Sequence, residues 1–155
     1  MNGPVVPDVW NRLLLADDSP VRALRDERAK GVSATEGSYQ ALCDPDLPGG
    51  LSLEERLQVA LYACELTPQA QLAAHYRERL QALSLEPASE RLKLILDFTR
   101  TLVLAPVEGD RQALTRLLDA GLTPVDVVTL GQLIAFISYQ VRLAVGLTAL
   151  HAPEH

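Results

Sequence analysis

Four short stretches of this 155-residue chain carry the chemistry of a helix start, and none carries that of a strand. Ser19-Pro20 and Thr67-Pro68 each set a capping hydroxyl before a proline. The missing N–H and fixed φ of proline suit the first helical position. Ser52 to Glu55 has the form of a capping box, with the hydroxyl at the cap and the carboxylate three residues on. Thr123-Pro124-Val125-Asp126 combines both devices. Leu and Ala dominate, and alternating β-branched runs are absent. Gly109, Gly121 and the run Pro48-Gly49-Gly50 mark stops and loops. The chain is therefore expected to be all-α, with helices near 8–16, 20–30, 33–43, 53–66, 68–84, 88–104, 110–120 and 124–149. The Pro-Gly-Gly run divides an N-terminal helical extension, residues 1–47, from a core of residues 48–155 on which it packs.

Periodicity predicts which faces are buried. Leu53, Leu57, Ala60, Leu61 and Cys64 form one apolar stripe, and Leu72, Tyr76, Leu80 and Leu83 form another. His75 lies about 60° off the second stripe, by the helical step of roughly 100° per residue. The last helix is apolar nearly all round, from Val125, Val127 and Val128 to Val141, Leu143 and Val145. Such a helix is central or lies at a subunit interface.

Composition narrows the functional classes. A net charge of −6 and a pI near 5.0, with no Lys/Arg cluster, argue against nucleic acid or an anionic membrane as partner. Cys43 and Cys64 have no Cys-x-x-Cys spacing, and two of the three histidines fall in the last five residues. No metal or cofactor is expected from that set. The start MNGPVVPDVW lacks the basic and apolar regions of a signal peptide. Gln132, Gln140 and Arg142 interrupt the most apolar segment and argue against a membrane span. The expectation is a cytoplasmic protein.

Three stretches carry a family resemblance. LSLEERLQVALYACELTPQAQLAAHYRERL (51–80), RLKLILDFTRTLVLAP (91–106) and LLDAGLTPVDVVTLGQLIAFISYQVRLAVGL (117–147) resemble, in order and pattern, the carboxymuconolactone decarboxylase-like group. That group includes the AhpD-type alkylhydroperoxidases. The resemblance implies an AhpD-like helical bundle built on a core hairpin, and a homo-oligomer. In the family, a glutamate-bearing helix leads into Cys-x-x-Cys-x-x-x-His at the start of the next. Alignment on His75 places Pro68 and Gln71 at the two cysteine positions. Arg56 then falls at the glutamate position, and a one-residue shift restores Glu55. Proline and glutamine cannot attack a peroxide, so the resemblance implies a peroxidase-related chain without dithiol peroxidase chemistry.

The candidate residues each have a plainer role. His75 is a candidate general acid or base, or else a structural histidine at a helix–helix rim. Glu55 is a candidate proton relay, or else simply the third residue of a capping box. Cys64 is a candidate displaced nucleophile, although its place on the Leu53–Leu57–Leu61 stripe favours an inert buried thiol. Cys43 has no evident partner. Tyr62, Tyr76 and Tyr139 with Gln71 are expected to line a small-molecule pocket or to serve as core aromatics. Arg142, inside the most apolar helix, is expected to be buried and paired with Glu55 or Asp126, or else to bind substrate. Two functions follow: a divergent enzyme or small-molecule-binding protein centred on His75, or a non-catalytic structural or regulatory oligomer that partners an active relative.

Overall fold

The computed structural model describes residues 8–15 and 19–151. The expected end of the first helix at residue 16, the N-terminal segment 1–7 and the last four residues lie outside them. Among the described residues the elements are α1 (Val9–Leu14), α2 (Pro20–Asp26), α3 (Ala29–Cys43), α4 (Leu53–Leu66), α5 (Ala70–Gln81), α6 (Glu90–Leu104), α7 (Arg111–Asp119) and α8 (Pro124–His151), with a 3-10 turn at Pro106–Glu108. There is no strand among them.

Two of the four start signals cap their helices as their chemistry requires, and a third starts its helix without the side-chain cap. Ser52 Oγ accepts from the Glu55 N–H at 3.1 Å while the Glu55 carboxylate accepts from the Ser52 N–H at 3.0 Å. Thr123 and Asp126 make the same reciprocal pair at 3.2 and 2.8 Å, with Pro124 opening α8. Ser19 caps α2 in an extended conformation before Pro20, without a side-chain bond to the helix. Thr67-Pro68 departs from expectation. Thr67 ends α4, with its hydroxyl donating back to Ala63 O at 2.9 Å. Gln69 is the true cap of α5, accepting from the Leu72 N–H at 2.8 Å, so α5 starts two residues later than Pro68. The residue before a proline is pushed out of the helical region, and that separates the two helices here.

Helix α4 is the hub and packs on α5, α6 and α8. Leu57, Leu72, Tyr76, Ile95, Leu130, Leu133 and Ile137 are fully buried around it. Trp10 of α1 joins the same core, and α3 packs on α4 and α8. The loop at 48–50 is pinned to the start of α8: a Cβ on Gly50 would lie 2.6 Å from the Asp126 carboxylate oxygens, so only glycine fits.

The last helix is long and apolar enough to cross a membrane by length and composition. One side of it, including Leu130, Leu133, Ile137, Val141 and Ala144, is buried in the bundle, which is the position of a core helix. The opposite side leaves Val125, Val128, Tyr139 and Val145 exposed. The expectation for Arg142 is corrected: it is exposed, not buried. Its neighbours place Gln140 on the inner face instead, where it is fully buried.

Candidate functional site

The start of α5 holds no reactive group. Pro68 and Gln71 are both exposed, and the cap residue Gln69 is engaged with the helix backbone. The polar chemistry lies one to three turns further along α5, where α3 crosses it.

Four residues of α3 explain that crossing. Val32, Thr35, Tyr39 and Cys43 recur at helical spacing and form its buried face. Tyr39 Oη lies 2.7 Å from His75 Nε2. The Arg79 guanidinium donates to Tyr39 Oη at 3.0 Å, to Cys43 O at 2.8 Å and to Asp44 at 2.5 Å. With Arg79 donating to its oxygen, the Tyr39 phenol is free to donate to Nε2, an arrangement that suits a neutral imidazole carrying its proton on Nδ1. Burial and the positive charges of Arg79 and Arg12 hold its pKa down to about 4. Its ring also meets Tyr76 edge-on, with centroids 5.1 Å apart.

Beneath this lies a second, fully buried chain of groups. Tyr76 Oη donates to Gln140 Oε1 at 2.6 Å and sits 3.7 Å from Cys43 Sγ. Cys43, expected to lack a partner, thus has one. Gln140 Nε2 and Trp10 Nε1 are buried with no hydrogen-bond partner among the described residues. Burial pushes the Cys43 and Cys64 thiols each up to about 12. Neither is a thiolate at neutral pH, and both are enclosed.

Glu55 and His75 are held by different partners. The Glu55 carboxylate accepts from Arg91 Nε at 2.6 Å and from the Ser52 N–H, while His75 is held by Tyr39 of α3. Arg91 also donates to Gly50 O at 2.6 Å. Arg56, which the ungapped alignment sets at the glutamate position, is buried. Its guanidinium donates to Leu51 O at 2.8 Å, Pro48 O at 2.7 Å and Leu42 O at 3.0 Å. It closes the C-terminal end of α3, where unpaired carbonyls and the helix dipole favour a cation. Tyr76 is in the closed core and Tyr139 lies on the surface beside α3, so they do not share a pocket. Among the described residues no three His, Cys, Asp or Glu side chains converge to hold a metal ion.

Tyr39 and Arg79 were not among the expected site residues, and Gln140 and Arg56 were not expected to be buried and bonded. For two of them a signal existed. Arg56 shares a helical face with Ala60 and Ala63, and Gln140 shares one with Leu133, Ile137 and Ala144, all of them buried. A polar residue on a core face marks a bonded group.

No protein-family model matches the chain, and no curated protein matches its sequence. Among solved structures it is similar to an uncharacterized peroxidase-related protein from Silicibacter sp. TM1040, with a TM-score of 0.71 and 18% identity, over 99% of this chain and 95% of that one. This chain therefore has the all-α fold of that peroxidase-related protein.

Proposed function

We propose that this chain is a divergent relative of the AhpD-like proteins that keeps their bundle as a non-catalytic structural or regulatory oligomer. One observation carries this reading: the two thiols are buried and protonated, while the start of α5 presents Pro68 and Gln71. A dithiol peroxidase needs an accessible thiolate to attack the O–O bond and a second thiol to resolve the product. The proposed contact surface is the apolar side that α7 and α8 leave exposed, at Leu118, Val125 and Val128. Two measurements test the proposal. Purified protein with an organic hydroperoxide and a dithiol reductant should show no turnover above background. Turnover that disappears in Cys64→Ser would overturn it. Light scattering should give a multiple of the 16.9 kDa chain mass, reduced in Val128→Glu. A monomer at all concentrations would remove the oligomer.

A second reading rests on the Tyr39–His75 pair. A neutral imidazole bonded to a phenol at 2.7 Å, half-buried at a helix crossing, is an acid–base couple that a small ligand could use. Loss of a ligand-dependent signal in both Tyr39→Phe and His75→Ala would favour it.

A further inference from the structure

We infer that the groove between α3 and α8 binds an amphiphilic anion, a medium-chain alkyl carboxylate. The groove is independent of the His75 crossing and encloses about 300 Å³, at the lower end of small-molecule sites. Gly31, Val32 and Thr35 of α3 and Tyr139, Leu143 and Leu147 of α8 line it. Val32 and Leu147 are buried and form an apolar floor.

The charged side chains that line it are Arg25 and Arg28. Arg25 is committed to the chain itself, donating to both carboxylate oxygens of Asp8, at 2.8 and 2.6 Å, and to Asn11 at 2.5 Å. Arg28 is exposed and has no ion pair or hydrogen-bonded side-chain partner among the described residues. No carboxylate lines the groove. Arg28 is the N-cap of α3, a helix that opens with no side-chain cap and no acidic residue in its first turn. No acidic residue within that first turn offsets the positive end of the helix dipole beside Arg28, and Glu27 before it lines the neighbouring depression, not this groove. In a chain of net charge −6 this is a local exception, and its sign is complementary to a carboxylate.

Gly31 lies in the lining of the groove. It lies inside α3 with no positive φ, and a Cβ there would meet nothing within 4 Å. Neither backbone geometry nor packing within the chain calls for glycine, which is a poor helix former. Its absent side chain keeps the groove open beside Arg28. The carboxylate sits at Arg28 and the first turn of α3, and the alkyl chain lies over Val32, Leu143 and Leu147. Thr35 is not free to compete for the headgroup, since its hydroxyl donates to Gly31 O at 2.9 Å.

Titration calorimetry of the full chain with sodium decanoate and with 1-decanol tests this. Expected is saturable one-to-one binding of decanoate and weaker binding of the alcohol. Arg28→Glu should weaken decanoate by about tenfold or more, the weight of a charge-assisted hydrogen bond. Gly31→Leu, which fills open space, should remove binding while leaving the melting temperature and helical circular dichroism near wild type. Gly31→Ala is the control for the fold, should Gly31→Leu not fold, and should retain part of the affinity. Absence of saturable decanoate binding would overturn the proposal. So would decanoate binding unchanged in Gly31→Leu or Arg28→Glu. Equal affinity for decanoate and decanol would overturn the anion preference.

Discussion

The first turn of α5 and its middle lie on one helix, yet they differ in every polar respect. At its start, Pro68 and Gln71 are exposed, and neither side chain can titrate. Over the middle, Tyr39, His75, Arg79 and Asp44 are bonded in sequence, with Tyr76, Cys43 and Gln140 beneath them. A helix N-terminus lowers the pKa of a thiol placed there. This chain places its two thiols in the core instead, where burial raises them. The bonded groups lie where α3 is fastened to the hairpin of α4 and α5. Their arrangement is that of a seam between two packed layers, and substitutions distinguish a seam from a reaction centre by what they cost in stability.

The largest cost is expected at Arg56. Arg56→Met leaves the carbonyls of Leu51, Pro48 and Leu42 without donors inside the fold. The expected loss is about 3 kcal/mol, read as a lower urea midpoint. Gln71→Met at the first turn of α5 should stay within about 0.5 kcal/mol of wild type. Similar losses for the two would break the comparison, because the seam would then be no more structural than the exposed turn.

A smaller cost is expected in the buried chain. Tyr76→Phe strands Gln140 Oε1, in addition to the Nε2 that already lacks a partner among the described residues, and should cost about 2 kcal/mol. Gln140→Met in the same background removes the stranded amide and should restore most of the loss. A double variant no better than Tyr76→Phe would show that the amide carries its weight elsewhere.

The parts of this structure that were legible in the sequence are those written in local chemistry. Ser52 with Glu55, and Thr123 with Asp126, specify their own helix starts, and the bonds that do so are between residues three apart. The stripes of α4 and α5 follow from spacing alone. Thr67-Pro68 misled because two signals compete there: the proline favours a start, but the Gln69 side chain reaches Leu72 and takes the cap. The crossing itself was not legible. Tyr39 and His75 are 36 residues apart, and nothing in either neighbourhood sets the angle at which α3 meets α5. Arg142 misled for a related reason. Position along an apolar helix does not say which side faces the core, and only the packing of α8 shows that Gln140 points in while Arg142 points out.

The smallest effect sharpens the comparison most, because it concerns His75, the imidazole on which the acid–base reading rests. The His75 pKa is about 4 in the fold against 6.5 for a free imidazole. Between those values the unfolded chain binds a proton that the folded chain does not, so stability rises with pH across that interval. The contribution of His75 is complete above about pH 6.5 and is lost as the pH falls toward 4. The whole shift corresponds to about 3 kcal/mol, and solvent screening of a half-buried ring reduces the expected effect to about 1 kcal/mol. His75→Gln keeps an acceptor for Tyr39 but does not titrate. Urea midpoints at pH 7 and pH 4.5 should therefore fall further for wild type than for His75→Gln, against a shared background of carboxylate protonation. Equal falls would mean that the ring turns to water when it takes a proton. Tyr39 and Arg79 would then hold the crossing without it, and His75 would belong to the exposed chemistry of α5 rather than to the seam.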